Sequence, residues 1–184
     1  MTHQAASPRH ALRAATAAAH ARLDALYGGL DLARRDDYAR FLTSHAAAFL
    51  PVETALAAAG AGAVFEGWLE RPRGPALRAD LAALGLAVPP PLEPPPFADE
   101  AALLGGLYVL EGSRLGGAVL VRAVPPDMPA AFLAPETVST WRAFTDLLDR
   151  RLAAPDRFAH AAAAAEAVFA LFERAARATL ELAA

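Results

Sequence analysis

A chain of 184 residues that is 55% hydrophobic, a share inflated by alanine, is long enough to bury a real core. Its net charge of −3 argues against a nucleic-acid surface, and the absence of cysteine excludes disulfides, thiolate metal ligands and a cysteine nucleophile. No stretch has the apolar core of a signal peptide or the roughly 18 charge-free residues of a membrane span, so a soluble, cytoplasmic protein is expected.

In chain order, the first helix is predicted over "SPRHALRAATAAAHARLDALYGG", behind a terminus, residues 1–6 with His3, that is expected to be disordered. Ser7 is its N-cap, Pro8 its first helical residue and Gly28-Gly29 its end, with Leu12, Ala15, Ala19, Leu23 and Leu26 at helical spacing. A second helix runs from Arg34 to Ala59 through Pro51, which should kink it. Short helices are expected around 63–70 and 75–84, the latter closed by Gly85. "VPPPLEPPPF", within residues 86–98, reads as an extended proline-rich connector inside the domain. Residues 98–124 form a long apolar helix interrupted by glycines and stopped by Pro125-Pro126. A helix with apolar Val138, Trp141, Phe144, Leu147, Leu148 and Leu152 follows, then a last one from Pro155 to Leu182. No β-branched run between turns reads as a strand. The expected fold is all-α: a single domain over 1–184, an irregular bundle of six to eight helices.

The glycines pose the first functional question. Gly105, Gly106, Gly112, Gly116 and Gly117 fall in one helix, where each costs about 1 kcal/mol relative to alanine. Gly112 and Gly116 share a face, with Gly117 beside them. Two accounts stand side by side. Small residues allow a second helix to approach closely, or a flat ligand lies against bare backbone. A phosphate loop fits poorly, because all seventeen basic residues are arginine and the GxxxxGK pattern is missing.

His20 is the second candidate. It is flanked by Ala17, Ala18, Ala19 and Ala21, so small neighbours leave room around its ring. No HExxH, carboxylate triad or second histidine at i+3 or i+4 accompanies it, which argues against zinc or non-haem iron. A lone histidine with open space suits axial ligation of haem iron. Arg13 lies two turns earlier on the same face, about 10 Å along the axis, a reach that suits a carboxylate at the edge of a macrocycle. Asp24, at i+4 from His20, reads as a partner for arginine, and His45 as a satisfied core histidine.

On these residues the chain resembles the haem oxygenase family, particularly its bacterial, biliverdin-forming branch. "LRAATAAAHARLD" is similar to the family's proximal helix, "YARFLTSHAAAFLPVE" to its second helix and "YVLEGSRLGGAVL" to its kinked distal helix, in family order over most of the chain. The resemblance implies haem b, substrate and cofactor at once, sandwiched between proximal and distal helices with His20 as the axial ligand. Gly112, Ser113, Gly116 and Gly117 would form the distal face, leaving room for dioxygen and directing it to a meso carbon while ordered water supplies protons. The implied reaction cleaves haem to biliverdin with release of carbon monoxide and ferrous iron, using O2 and an external electron donor, a protein or a small reductant. Arg13 and Arg142 would hold the propionates, with Tyr108 or Arg114 as further contacts. A bilin-accepting phytochrome would be a partner where the product serves as chromophore.

Three positions depart from the family pattern. Ala118 stands where the distal motif usually runs GGQ, Ser113 where some members carry an acidic residue that organises water, and Arg114 where a small polar residue is common. They bear on the proton network and the site of ring opening more than on haem binding. Two rival readings remain at this stage: a haem carrier or chaperone on the same scaffold without turnover, and a helical relative that acts on another small molecule.

Overall fold

Seven α-helices carry the chain in the computed structural model, which describes residues 7–135 and 138–181. They are α1 (Pro8–Tyr27), α2 (Arg35–Ala58), α3 (Ala61–Val64), α4 (Gly74–Ala83), α5 (Glu100–Leu120), α6 (Val138–Arg151) and α7 (Pro155–Glu181), with 3-10 turns at Val121–Ala123 and Ala131–Leu133. Among the described residues there is no strand. The expectations for residues 1–6, His3 included, and for Leu182 lie outside the described residues.

The all-α expectation holds, with three local corrections. Ser7 occupies the N-cap of α1 but its side chain caps nothing; its hydroxyl pairs with His10 Nδ1 at 3.0 Å. The orphan N–H of Arg9 is instead taken by Asp149 Oδ1 of α6 at 2.9 Å, so the start of α1 is satisfied from another helix. The helix expected over 63–70 shrinks to one turn at Ala61–Val64. Gly60 (φ 96°) and Gly67 (φ 74°) bracket a turning segment there, although Phe65 and Trp68 both end up buried. The glycine-rich helix, finally, is hydrogen-bonded without a break from Glu100 to Leu120, and none of its glycines has a positive φ. Their role in α5 is therefore the missing side chain, not backbone freedom.

α7 is the floor of the bundle, and α1, α2 and α5 all pack on it. Its apolar face is rich in small side chains: Ala161, Ala164 and Ala165 are buried beside Val168, Phe169 and Phe172. This is where Gly105 belongs, because a Cβ at that position would overlap the Ala161 carbonyl. α1 packs on α7 and α6, so α1 and α5 flank the same floor helix.

α2 runs through Pro51. Proline has no N–H for the carbonyl four residues earlier, here Ala47. That carbonyl accepts the Leu92 N–H instead, at 2.9 Å, which fastens the proline-rich connector across α2. Glu53, on the same helix, accepts the N–H groups of Arg73 (2.7 Å) and Gly74 (2.8 Å) and so caps α4 from a distance. Buried Asp80 of α4 accepts from Ala131 N (3.1 Å) and Phe132 N (2.8 Å), pinning the turn after α5.

Candidate functional site

His20 projects from the alanine-lined face of α1, with 63% of its side chain exposed. Its Nδ1 lies 2.8 Å from Asp24 Oδ2, one helical turn on. The two side chains stand as a close i, i+4 pair, so the imidazole has an acidic neighbour on its Nδ1 side. This corrects the assignment of Asp24 to an arginine: the nearby Arg22 pairs with Glu173 of α7 instead, at 2.9 Å. The imidazole also stands edge-on to Phe169 of α7, with centroids 5.8 Å apart, so the ring is steadied from two helices. Among the described residues no group of three or more His, Asp or Glu converges on a point. One imidazole is the donor set on offer, which fits a metal that brings its remaining ligands with it.

The five glycines of α5 divide by what surrounds them. Gly105 and Gly106 are packing positions: a Cβ would overlap Ala161 backbone at the first, and would come within 2.5 Å of Phe97 and 2.9 Å of Leu56 at the second. Gly117 is buried, with Leu133 3.5 Å from an added Cβ, and Gly112 faces the Trp141 ring at 3.8 Å. Gly116 alone of the five faces nothing within 4 Å. It sits in an exposed apolar stripe with Leu115 (43% exposed), Val119 (63%) and Leu120 (37%). Helical spacing puts Gly112, Leu115, Gly116 and Val119 on one side of α5. Around Gly116 this side of α5 is apolar and exposed.

Ser113 and Arg114 look elsewhere. The Ser113 hydroxyl donates to the Leu110 carbonyl and accepts from Arg73 Nη1, both at 2.7 Å. Arg73 is itself buried, stacked on Phe132 (4.2 Å) and bonded to the Phe132 carbonyl at 2.9 Å. Arg114 is engaged by Glu111 Oε1 (3.2 Å) and by the Arg71 carbonyl (2.7 Å). Glu111 is 3% exposed and also accepts from Trp68 Nε1 at 3.1 Å. Sequence reasoning missed both Arg73 and Glu111. "RPRGP" signals only a turn, and a glutamate inside a helix is ordinarily solvated.

Arg13 on α1 and Arg142 on α6 are exposed cations, and Tyr108 is half-buried with its ring 6.2 Å from that of Trp141. His45 is the satisfied core histidine expected of it. Its Nδ1–H donates to the Phe41 carbonyl at 3.0 Å, and burial, followed by the charge of Arg73, pushes its pKa down to about 4.

No family model matches the chain. It is 40% identical over 144 residues to a haem oxygenase of Xanthomonas campestris pv. campestris, an alignment spanning 74% of this chain and 87% of that one. It is 34% identical over 141 residues to the haem oxygenase PigA of Pseudomonas aeruginosa, 71% of each chain. Its fold superposes on the NO- and CO-bound haem oxygenase of Neisseria meningitidis with a TM-score of 0.84 at 25% identity, covering 96% of this chain and 94% of that one. A steadied imidazole, a bare helix face on the same floor helix and two relatives matched over most of their length converge on one conclusion: the chain belongs to the haem oxygenase family.

Proposed function

We propose that the protein cleaves haem oxidatively to a bilin, with His20 as the single protein ligand to the iron. The observation that carries this reading is the exposed His20 imidazole on α1, set beside the Asp24 carboxylate on its Nδ1 side. When bound, haem supplies the iron at which dioxygen is reduced and is itself the carbon skeleton attacked.

The chain's own residues supply binding, orientation and protons. Asp24 flanks the imidazole on its Nδ1 side, the place taken by carboxylates behind metal-bound histidines, and would orient the ring. The open face at Gly116 leaves space against α5 for a flat ring and a diatomic gas, while Leu115 and Val119 keep the surface apolar. Ser113, oriented by Arg73, has its proton committed to the Leu110 carbonyl; Ser113 therefore anchors the helix and supports no acidic role of its own. Arg13 and Arg142 are the cations we assign to the propionates, with Tyr108 beside Trp141 as a further hydrogen-bonding group. Electrons come from an external donor, a protein or a small reductant, and a phytochrome would receive the bilin where it serves as chromophore. No described helix is long and apolar enough to cross a membrane, which suits a cytoplasmic site of action.

Hemin added to the purified protein should give a one-to-one Soret complex, and a reductant in air should convert it to a bilin spectrum with release of carbon monoxide. His20→Ala should lose the histidine-ligated spectrum and turnover together. A haem complex that survives reductant and air unchanged would favour a carrier. An unaltered spectrum in His20→Ala would move the ligand elsewhere.

A further inference from the structure

A second concavity lies away from α1 and α5. It is a groove of 480 Å³ between α2 and the proline-rich connector, lined by Ala46, Leu50, Pro51, Ala55 and Val88 among others, with Arg78 of α4 as its one charged group. The volume falls in the range of small-molecule sites. Ala46, Leu50, Thr54, Ala55 and Ala58 form one side of α2, opposite the side that carries His45, Phe49 and Leu56 into the core. The groove is built, not incidental. Pro51 frees the Ala47 carbonyl, Leu92 N–H takes it at 2.9 Å, and the connector is thereby held across α2 as the far wall.

Its chemistry is one-sided. Pro89, Pro91 and Pro94 offer no N–H, and the Thr54 hydroxyl has its proton on the Leu50 carbonyl at 2.9 Å. No carboxylate lines the groove. Arg78 is exposed and has no hydrogen-bond or ion-pair partner among the described residues. An apolar trough with one unmatched guanidinium in its lining calls for a ligand with an apolar body and one acceptor-only, anionic head. We propose that this groove is a second ligand site, distinct from the haem face, for an aliphatic monocarboxylate whose chain lies along α2 and whose carboxylate meets Arg78.

Isothermal titration of octanoate into the full chain, with and without haem, tests the assignment. Octanoate should bind once per chain in both states, and neutral 1-octanol about tenfold more weakly for want of the charge-assisted bond. Arg78→Gln should weaken octanoate about tenfold and leave octanol unchanged. Ala55→Phe, which fills the trough from a half-buried helix position, should abolish both while the Soret complex forms normally. Absence of octanoate binding, equal affinity in Arg78→Gln, or displacement of octanoate by haem would each overturn the proposal. Haem loading is read separately by the Soret band, so this site and the haem reading fail independently.

Discussion

A methyl group added at Gly105 would run into the Ala161 carbonyl, whereas one added at Gly116 would meet no atom within 4 Å. Close packing thus accounts for Gly105, and Gly116 is the position it does not explain. Gly105→Ala gains about 1 kcal/mol of helix propensity but overpacks against backbone, so a net loss on the order of 2 kcal/mol is expected, a fall in Tm of several degrees. Gly116→Ala should leave Tm unchanged or slightly raised, while Gly116→Phe should fold and bind less haem or turn it over on the order of 100-fold more slowly. Thermal melts beside bilin formation check both, and equal loss of stability and activity at Gly116 would return that position to packing. The sequence spacing exposed the glycines as a group, but which of them touch α7 depends on a neighbour more than fifty residues away. His20 and its space were legible for the opposite reason: the alanines that leave the ring open are its chain neighbours. Asp24 stood at the right spacing as well, yet with arginines throughout the chain, spacing alone did not choose the partner.

At the level of elements, termini were legible wherever the signal was local. Asp99 is the clearest case: its Oδ1 accepts Ala102 N–H at 2.8 Å and its Oδ2 meets His160 Nδ1 of α7 at 2.7 Å, so one carboxylate caps α5 and ties it to α7. The Ala102 N–H, then His160, holds the Asp99 carboxyl below its ordinary value of 3.8. The folded state therefore prefers the ionised form, and the cap's contribution is present above that value and is lost as pH falls below it. Asp99→Ala should cost about 1 kcal/mol at neutral pH. The difference from the parent in urea denaturation should then shrink below pH 4. A difference that persisted at pH 3 would show that packing, not the charge, is responsible. Where a terminus is satisfied from afar, local reading fails. Asp149 supplies the cap that Ser7 does not, and Glu53 caps α4, and neither is near its target in sequence. Phe65 and Trp68 mislead in another way, since their i, i+3 spacing looks helical while two positive-φ glycines make the segment turn.

For the molecule as a whole, His45 is where the helices meet. Its ring lies 4.1 Å from that of Phe41 in α2, 5.0 Å from Tyr27 in α1, 6.0 Å from Phe132 in the turn after α5 and 5.6 Å from Phe172 in α7. The charged group that bears on it is Arg73, whose guanidinium stacks on Phe132, and protonation would set two cations against one aromatic cluster. The folded-state pKa of about 4 against 6.5 in the unfolded chain fixes the sign. Between those values the unfolded chain binds the extra proton, so stability is complete above pH 6.5, declines as pH falls, and stops declining from this cause near pH 4. A shift of that size corresponds to about 3 kcal/mol, a sizeable part of the 5–15 kcal/mol typical of a domain. Urea midpoints measured between pH 7 and pH 5 should fall in the parent. In His45→Gln, whose amide can still donate to the Phe41 carbonyl, they should stay nearly flat from a lower starting point. Asp99 does not confuse the comparison, because its window lies below 3.8. Equal slopes in the two proteins would mean that protonation is absorbed without separating the helices, and that the junction of α1, α2 and α7 is looser than its packing indicates.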